Sequence, residues 1–106
     1  AIIGGAVYHM PIVLDGVISL VAALAAERLV PNVREFLIPS HRSKEPAAEK
    51  ICEKLQLDPV IDARMAVGEG TGAVMMLTLL KQAVLVYQSC NSFEAAGVEQ
   101  YERYTE

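Results

Sequence analysis

Apolar positions fall along this chain in short bursts separated by prolines, glycines and polar clusters, and the period within each burst predicts its element. Residues 2–10 (IIGGAVYHM) read as a short helix that ends before Pro11, because the proline ring disfavours helical geometry in the residue ahead of it. PIVLDG is a brief apolar run closed by Asp15 and Gly16. That is the pattern of a strand buried on both faces, hence parallel and inside an α/β layer. GVISLVAALAAERLV follows as a helix stopped by Pro31, and EFLIPS as a second short strand running into the polar loop SHRSKEP. In EPAAEKICEKLQL the residues Ala47, Ile51 and Leu55 recur at i, i+4 and i+8 with charges on the other side, an amphipathic helix whose Pro46 is tolerated in the first turn. DPVIDARMAV is weakly extended, and a long helix is predicted from about Thr71 to Ser89. Residues 94–106 form a polar tail that is expected to fray.

Helices and strands thus alternate as α-β-α-β-α-(β)-α, which predicts an α/β fold with a parallel sheet and right-handed crossovers. Two of the helices are too apolar for the surface of a small domain. In the last, Thr78, Lys81, Gln82, Gln88 and Ser89 make one narrow polar stripe, and the helix over residues 17–30 has only Ser19, Glu27 and Arg28 as polar members. Such helices need cover on several sides, so the chain is expected either to associate with itself, as a dimer, or to be part of something larger.

Composition sharpens this picture. Apolar residues make up 53% of the 106 residues and aromatics 6%, so the apolar character lies in aliphatic side chains on helices. The length suits one domain. Nine basic residues against thirteen acidic ones leave a net charge of −4 with no basic stripe, which argues against nucleic acid or an anionic membrane as partner. The chain opens on AIIGGAVYHMP without a basic leader, and the apolar run ending at Leu80 is broken by Lys81 well short of the ~20 residues of a bilayer span. A soluble, cytoplasmic protein is the expectation, with Cys52 a reduced thiol on the apolar face of its helix.

Three polar loops follow the strand-like runs: Asp15-Gly16, Ser40 to Ser43, and Gly68 to Gly72. In open α/β sheets ligands bind beyond the carboxyl edge, so together these loops make one candidate site. Ser43 has two compatible roles, an N-cap for the helix that follows or part of an anion seat built from that helix start. Arg42 can add charge to a phosphate or lie on the surface, and His41 is more simply a satisfied loop histidine than a base. GEGTG lacks the lysine and spacing of a phosphate loop. Instead it holds a carboxylate, Glu69, between Gly68 and Gly70, whose lack of side chains lets a ligand approach the backbone. Thr71 suffices as a cap, which leaves Glu69 in need of its own explanation. Met65, Val67, Val74 and Met75 would desolvate that carboxylate and favour its neutral form, while the helix start favours the charged one. His9 and His41 are isolated, so no metal constellation is present, no cofactor is implied, and no G-x-S-x-G elbow occurs.

The segments PIVLDGVIS, VREFLIPSHRSKEPAAEKICEKLQLDPVID and RMAVGEGTGAVMMLTLL, in that order and spacing, resemble consecutive parts of the C-terminal portion of nicotinate-nucleotide:dimethylbenzimidazole phosphoribosyltransferases, up to about Phe93. The resemblance implies transfer of phosphoribose from nicotinate mononucleotide to a benzimidazole, giving the α-ribazole phosphate of the cobalamin lower ligand. It implies that Glu69 is the general base, that Ser43 lies near the substrate phosphate, and that Asp15 and Gly16 line the pocket. Ser40, Gly68, Gly70 and Thr71 are carried with them as substrate-binding positions. Residues 1–106 are then one C-terminal segment of a larger enzyme with a doubly wound, Rossmann-like sheet, represented here by its last strands. A non-catalytic ligand-binding or subunit-interaction module of the same family is the alternative, and an unrelated α/β domain a third.

Overall fold

The computed structural model describes residues 1–65 and 69–90. The chain begins with helix α1, Ile2–Val7, and turns through His9, whose φ of 53° ends the helix earlier than the apolar pattern over residues 2–10 predicts. Strand β1, Ile12–Leu14, is followed by helix α2, Val17–Leu29. At the start of α2 the Ser19 hydroxyl both accepts from the Gly16 N–H (3.1 Å) and donates to the Gly16 carbonyl (2.7 Å). Beyond α2, the Glu27 carboxylate accepts from the N–H groups of Asn32 (3.0 Å) and Arg34 (2.7 Å). It thereby closes a 3-10 turn over Val33–Phe36 in the stretch where EFLIPS predicts strand. Strand β2 is the shorter Leu37–Pro39.

The two strands pair in parallel with Ile12 opposite Leu37 and Leu14 opposite Pro39, the α/β arrangement that the alternating pattern predicts. The third extended segment contributes one parallel bridge, His41 to Ile61, with the Arg42 N–H on the Ile61 carbonyl at 2.7 Å. Helix α3, Pro46–Leu55, packs on α2. Its buried face is Ala48, Cys52 and Leu55, with Ile51 half-buried, whereas Ala47, expected on that face, is exposed. The helix is rotated so that small side chains meet α2, where Ala23 is wholly buried, and the small residues let the two backbones approach.

Leu14, Leu20, Ala23, Ala26, Val33, Leu37, Ala48, Cys52 and Leu55 belong to one core that joins β1, α2, β2 and α3. The last helix, α4, Thr71–Ser89, spans the predicted residues but buries only Gly72 and Met76. Val74, Leu77, Leu79 and Val86 are among its exposed apolar residues, as the narrow polar stripe predicts. Among the described residues, no helix is long and apolar enough to cross a membrane. The polar tail over residues 94–106 lies outside the described residues.

Candidate functional site

The carboxyl ends of β1 and β2 are stitched together before any ligand is considered. Ser40 follows β2; its N–H donates to the Leu14 carbonyl (3.0 Å) and its hydroxyl to the Asp15 carbonyl (3.1 Å). Ser40 is 1% exposed, so this hydroxyl is spent on the sheet end and does not line the cleft. Asp15 is thus held by its backbone, and its side chain reaches the start of α4, more than fifty residues further along. Oδ2 accepts from the Gly70 N–H and Oδ1 from the Ala73 N–H, each at 3.1 Å. The cap of α4 therefore comes from Asp15, where the sequence suggests Thr71; Thr71 is the first helical residue, and the N-cap is Gly70, which has no side chain to offer. Two consecutive residues, Glu69 (φ 66°) and Gly70 (φ 79°), adopt the left-handed conformation there. For Gly70 this is free of steric penalty, but for Glu69 it is a strained state of order 1–2 kcal/mol that the surroundings must hold.

Gly72 is the second anchor of α4. A Cβ at this position would lie 2.1 Å from the His41 Nδ1 and 3.0 Å from the Ser40 hydroxyl, so only glycine lets the helix seat against the end of β2. His41 is buried there, with its Nδ1 3.4 Å from the Ser40 hydroxyl. The sequence places Gly72 at the end of the third polar loop and gives it no role of its own, although a glycine inside a helix, about 1 kcal/mol worse than alanine, is itself a sign of close packing.

These anchors bring three distant loops to one open cleft of about 510 Å³, whose lining includes Asp15, Gly16, His41, Ser43 and Glu69. Gly70 and Thr71 form the helix start next to it. Gly68 lies outside the described residues, as does Val67. Ser43 does not cap α3, because Pro46 occupies the first helical position and moves the N-cap to Glu45. Its hydroxyl instead accepts from the Glu45 N–H at 3.2 Å, and Lys44 beside it supplies a cation to the same cleft. Across from them the first turn of α2 presents Gly16, Val17 and Ile18, a helix start that suits an anion next to apolar side chains. Arg42 is turned elsewhere. Its guanidinium sits 3.7 Å from Glu49 and 3.4 Å from Asp58, on a separate hollow of about 120 Å³.

Glu69 is exposed, and so are Val74 and Met75, so among the described residues the apolar shell expected around the carboxylate is not closed; Val67 lies outside them. The Cys52 thiol is buried as expected; burial pushes its pKa up from 9.0, Asp58 and Glu49 add to the rise, and Arg42 opposes it. Among the described residues no group of three or more potential ligands is placed to hold a metal ion.

A family model described as phosphoribosyltransferase matches residues 1–98. The nicotinate-nucleotide–dimethylbenzimidazole phosphoribosyltransferase of Acetivibrio thermocellus is 46% identical over 100 residues, which cover 94% of this chain and 28% of that protein. The protein of the same name from Clostridium acetobutylicum is 43% identical over 99 residues, 93% of this chain and 28% of that one. A crystal structure of the Thermus thermophilus protein of that name superposes with a TM-score of 0.85 at 36% identity, over 94% of this chain and 30% of its own. The chain thus spans little more than a quarter of the length of these curated relatives.

Proposed function

This chain belongs to the phosphoribosyltransferase family, and from that premise we propose that, as part of a longer enzyme, it takes part in phosphoribosyl transfer from nicotinate mononucleotide to dimethylbenzimidazole, giving α-ribazole phosphate. The observation that carries this reading is the meeting of Glu69, Ser43 and the Asp15-Gly16 turn, from three separate loops, in one cleft. In the proposed reaction one benzimidazole nitrogen forms a bond to the anomeric carbon of the ribose. The bond from that carbon to the pyridinium nitrogen breaks, and nicotinate leaves with the electron pair. Glu69 takes the proton from the second benzimidazole nitrogen, so positive charge does not accumulate on the new product. Ser43, Lys44 and the first turn of α2 suit the substrate phosphate, while Val17, Ile18 and Met65 suit a flat aromatic ring.

The exposure of Glu69 favours a second reading for the chain taken by itself, a non-catalytic ligand-binding or subunit-interaction module of the same family. Included in the proposal are a cytoplasmic setting and a homodimer through the apolar faces of α2 and α4, which sedimentation of the chain over a range of concentrations tests. A monomer throughout would remove the dimer.

Catalysis is tested by exchanging residues 1–98 into the Acetivibrio thermocellus relative and assaying transfer with and without Glu69→Gln, with the 106-residue chain alone beside them. The expected loss on Glu69→Gln is about 10²- to 10⁴-fold in kcat, the usual contribution of a positioned base. Undiminished turnover in that variant removes Glu69 from the role of base. Turnover by the 106-residue chain alone removes the second reading.

A further inference from the structure

We propose that Asp15 is a positioning residue for Glu69: its carboxylate, sent from the end of β1, holds the start of α4 and so fixes the backbone from which Glu69 enters the cleft. The proposal rests on the reading of Glu69 as the base. Three observations carry it. Both Asp15 oxygens are engaged, one by Gly70, the residue directly after Glu69, and one by Ala73. Asp15 is itself immobilised by Ser40, whose buried hydroxyl holds the Asp15 carbonyl. And Glu69 and Gly70 both lie in the left-handed region, which at Glu69 persists only where neighbouring contacts over-determine it. The same two hydrogen bonds occupy N–H groups of the helix start that would otherwise be free to bind the Glu69 carboxylate in place of solvent or substrate.

A simple helix cap would also use these contacts, but its loss would loosen the helix without regard to Glu69. Here the far side of the first turn stays seated through Gly72 against His41. Removing the Asp15 carboxylate is therefore expected to release the Glu69–Gly70 turn more than the helix. An Å-scale misplacement of a catalytic group suffices for a loss of about 10²-fold in rate.

Amide hydrogen exchange on the 106-residue chain reads the structural half directly. In Asp15→Asn the amides of Gly70 and Ala73 are expected to exchange at least ten times faster, while those of Ala48 and Leu55 in α3 do not change. Unchanged exchange at Gly70 and Ala73 overturns the proposal. If Asp15→Asn does not fold, Asp15→Glu keeps the charge, misplaces it by one methylene, and is read in the same way.

The kinetic half uses the exchanged enzyme with Asp15→Asn, Glu69→Gln and both together. Acting through Glu69, Asp15→Asn lowers kcat about 10- to 100-fold with the KM for nicotinate mononucleotide within threefold of the parent, and the double variant is no slower than Glu69→Gln alone. Losses that multiply in the double variant overturn the proposal, because Asp15 then acts on substrate or on folding by itself. Full activity in Asp15→Asn beside a crippled Glu69→Gln overturns it while leaving the base in place. Full activity in Glu69→Gln removes the base and the positioning role together.

Discussion

The β1-α2-β2-α3 part of the molecule and helix α4 are held to each other and to themselves by different physics. The first is a closed core in which Leu14, Val33 and Leu55 are at most 2% exposed and two helices pack through small residues. The second is a 19-residue helix with two buried residues, seated at its first turn by a carboxylate and by a glycine that abuts a histidine. Hydrophobic burial is non-directional and tolerates small shifts, whereas hydrogen bonds and a close backbone approach set position to a fraction of an ångström. The candidate base sits at the end of the directional part. Stability and placement are thus assigned to separate sets of contacts.

The largest test of this division is a cut into the core. Leu14→Ala is expected to lose about 2–5 kcal/mol, because a fully buried leucine is replaced by a cavity. Urea denaturation of the chain would register it as a lower midpoint, and a loss under about 1 kcal/mol would mean that the core contributes less than its burial indicates. Gly72→Ala comes next, at about 1–3 kcal/mol, since the new methyl group meets the buried His41 ring and either the ring or the helix must move. Unlike the leucine change, it is expected to disturb the His41 and Gly70 resonances while leaving those of the α2-α3 contact in place.

Smaller again is Leu79→Ala on α4. The side chain is about half exposed in this chain, so truncation is expected to stay within about 0.5 kcal/mol. In a dimer or a longer enzyme that covers the helix the same change would approach the loss seen in a core, which makes it a direct readout of whether that face is buried there. The smallest effect concerns pH. The Cys52 thiol is raised by burial, so folding favours its neutral form, and that contribution is complete below pH 9.0 and lost as pH climbs through the folded value. The midpoint of urea unfolding is expected to fall more steeply above pH 9.0 in the parent than in Cys52→Ala. Equal slopes would show that the thiol titrates alike in both states.

The readable and unreadable features follow the same division. Local signals were clear wherever the determinant is near in sequence. Pro31 ends α2, IVL ahead of Asp15-Gly16 makes a strand, and the narrow polar stripe of α4 tells of exposed apolar faces, whereas α1 stops at Val7, ahead of the left-handed turn at His9 and short of Pro11. Where two near signals compete, the outcome depends on which is satisfied. Pro46 takes the first helical position and displaces Ser43 from the N-cap, and the Glu27 carboxylate bends Val33–Phe36 into a 3-10 turn ahead of the short β2. The rotation of α3, which buries Ala48 and Cys52 rather than Ala47, depends on what α2 offers opposite and is invisible in a helical wheel.

For the candidate site, Asp15, Gly16, Ser43 and Glu69 were all identifiable as loop residues after strand-like runs, and the structure gathers them on one cleft. The sequence did not reveal the division of labour among them. Ser40 is consumed by the sheet end, Arg42 by Glu49 and Asp58, and Asp15 by the start of α4. Each of these pairings joins residues that no periodicity connects, and a side chain with several possible partners is assigned only by distance.

By itself, then, the order of residues determined the elements, their alternation, the parallel sheet and the resemblance that points to phosphoribosyl transfer, because backbone propensity, proline geometry and hydrophobic period act within a few residues of one another. Tertiary structure decided the cap of α4, the seat of Gly72 on His41, the left-handed turn at Glu69 and the openness of the cleft around it. These depend on groups separated by tens of residues whose approach is set only when the core has closed.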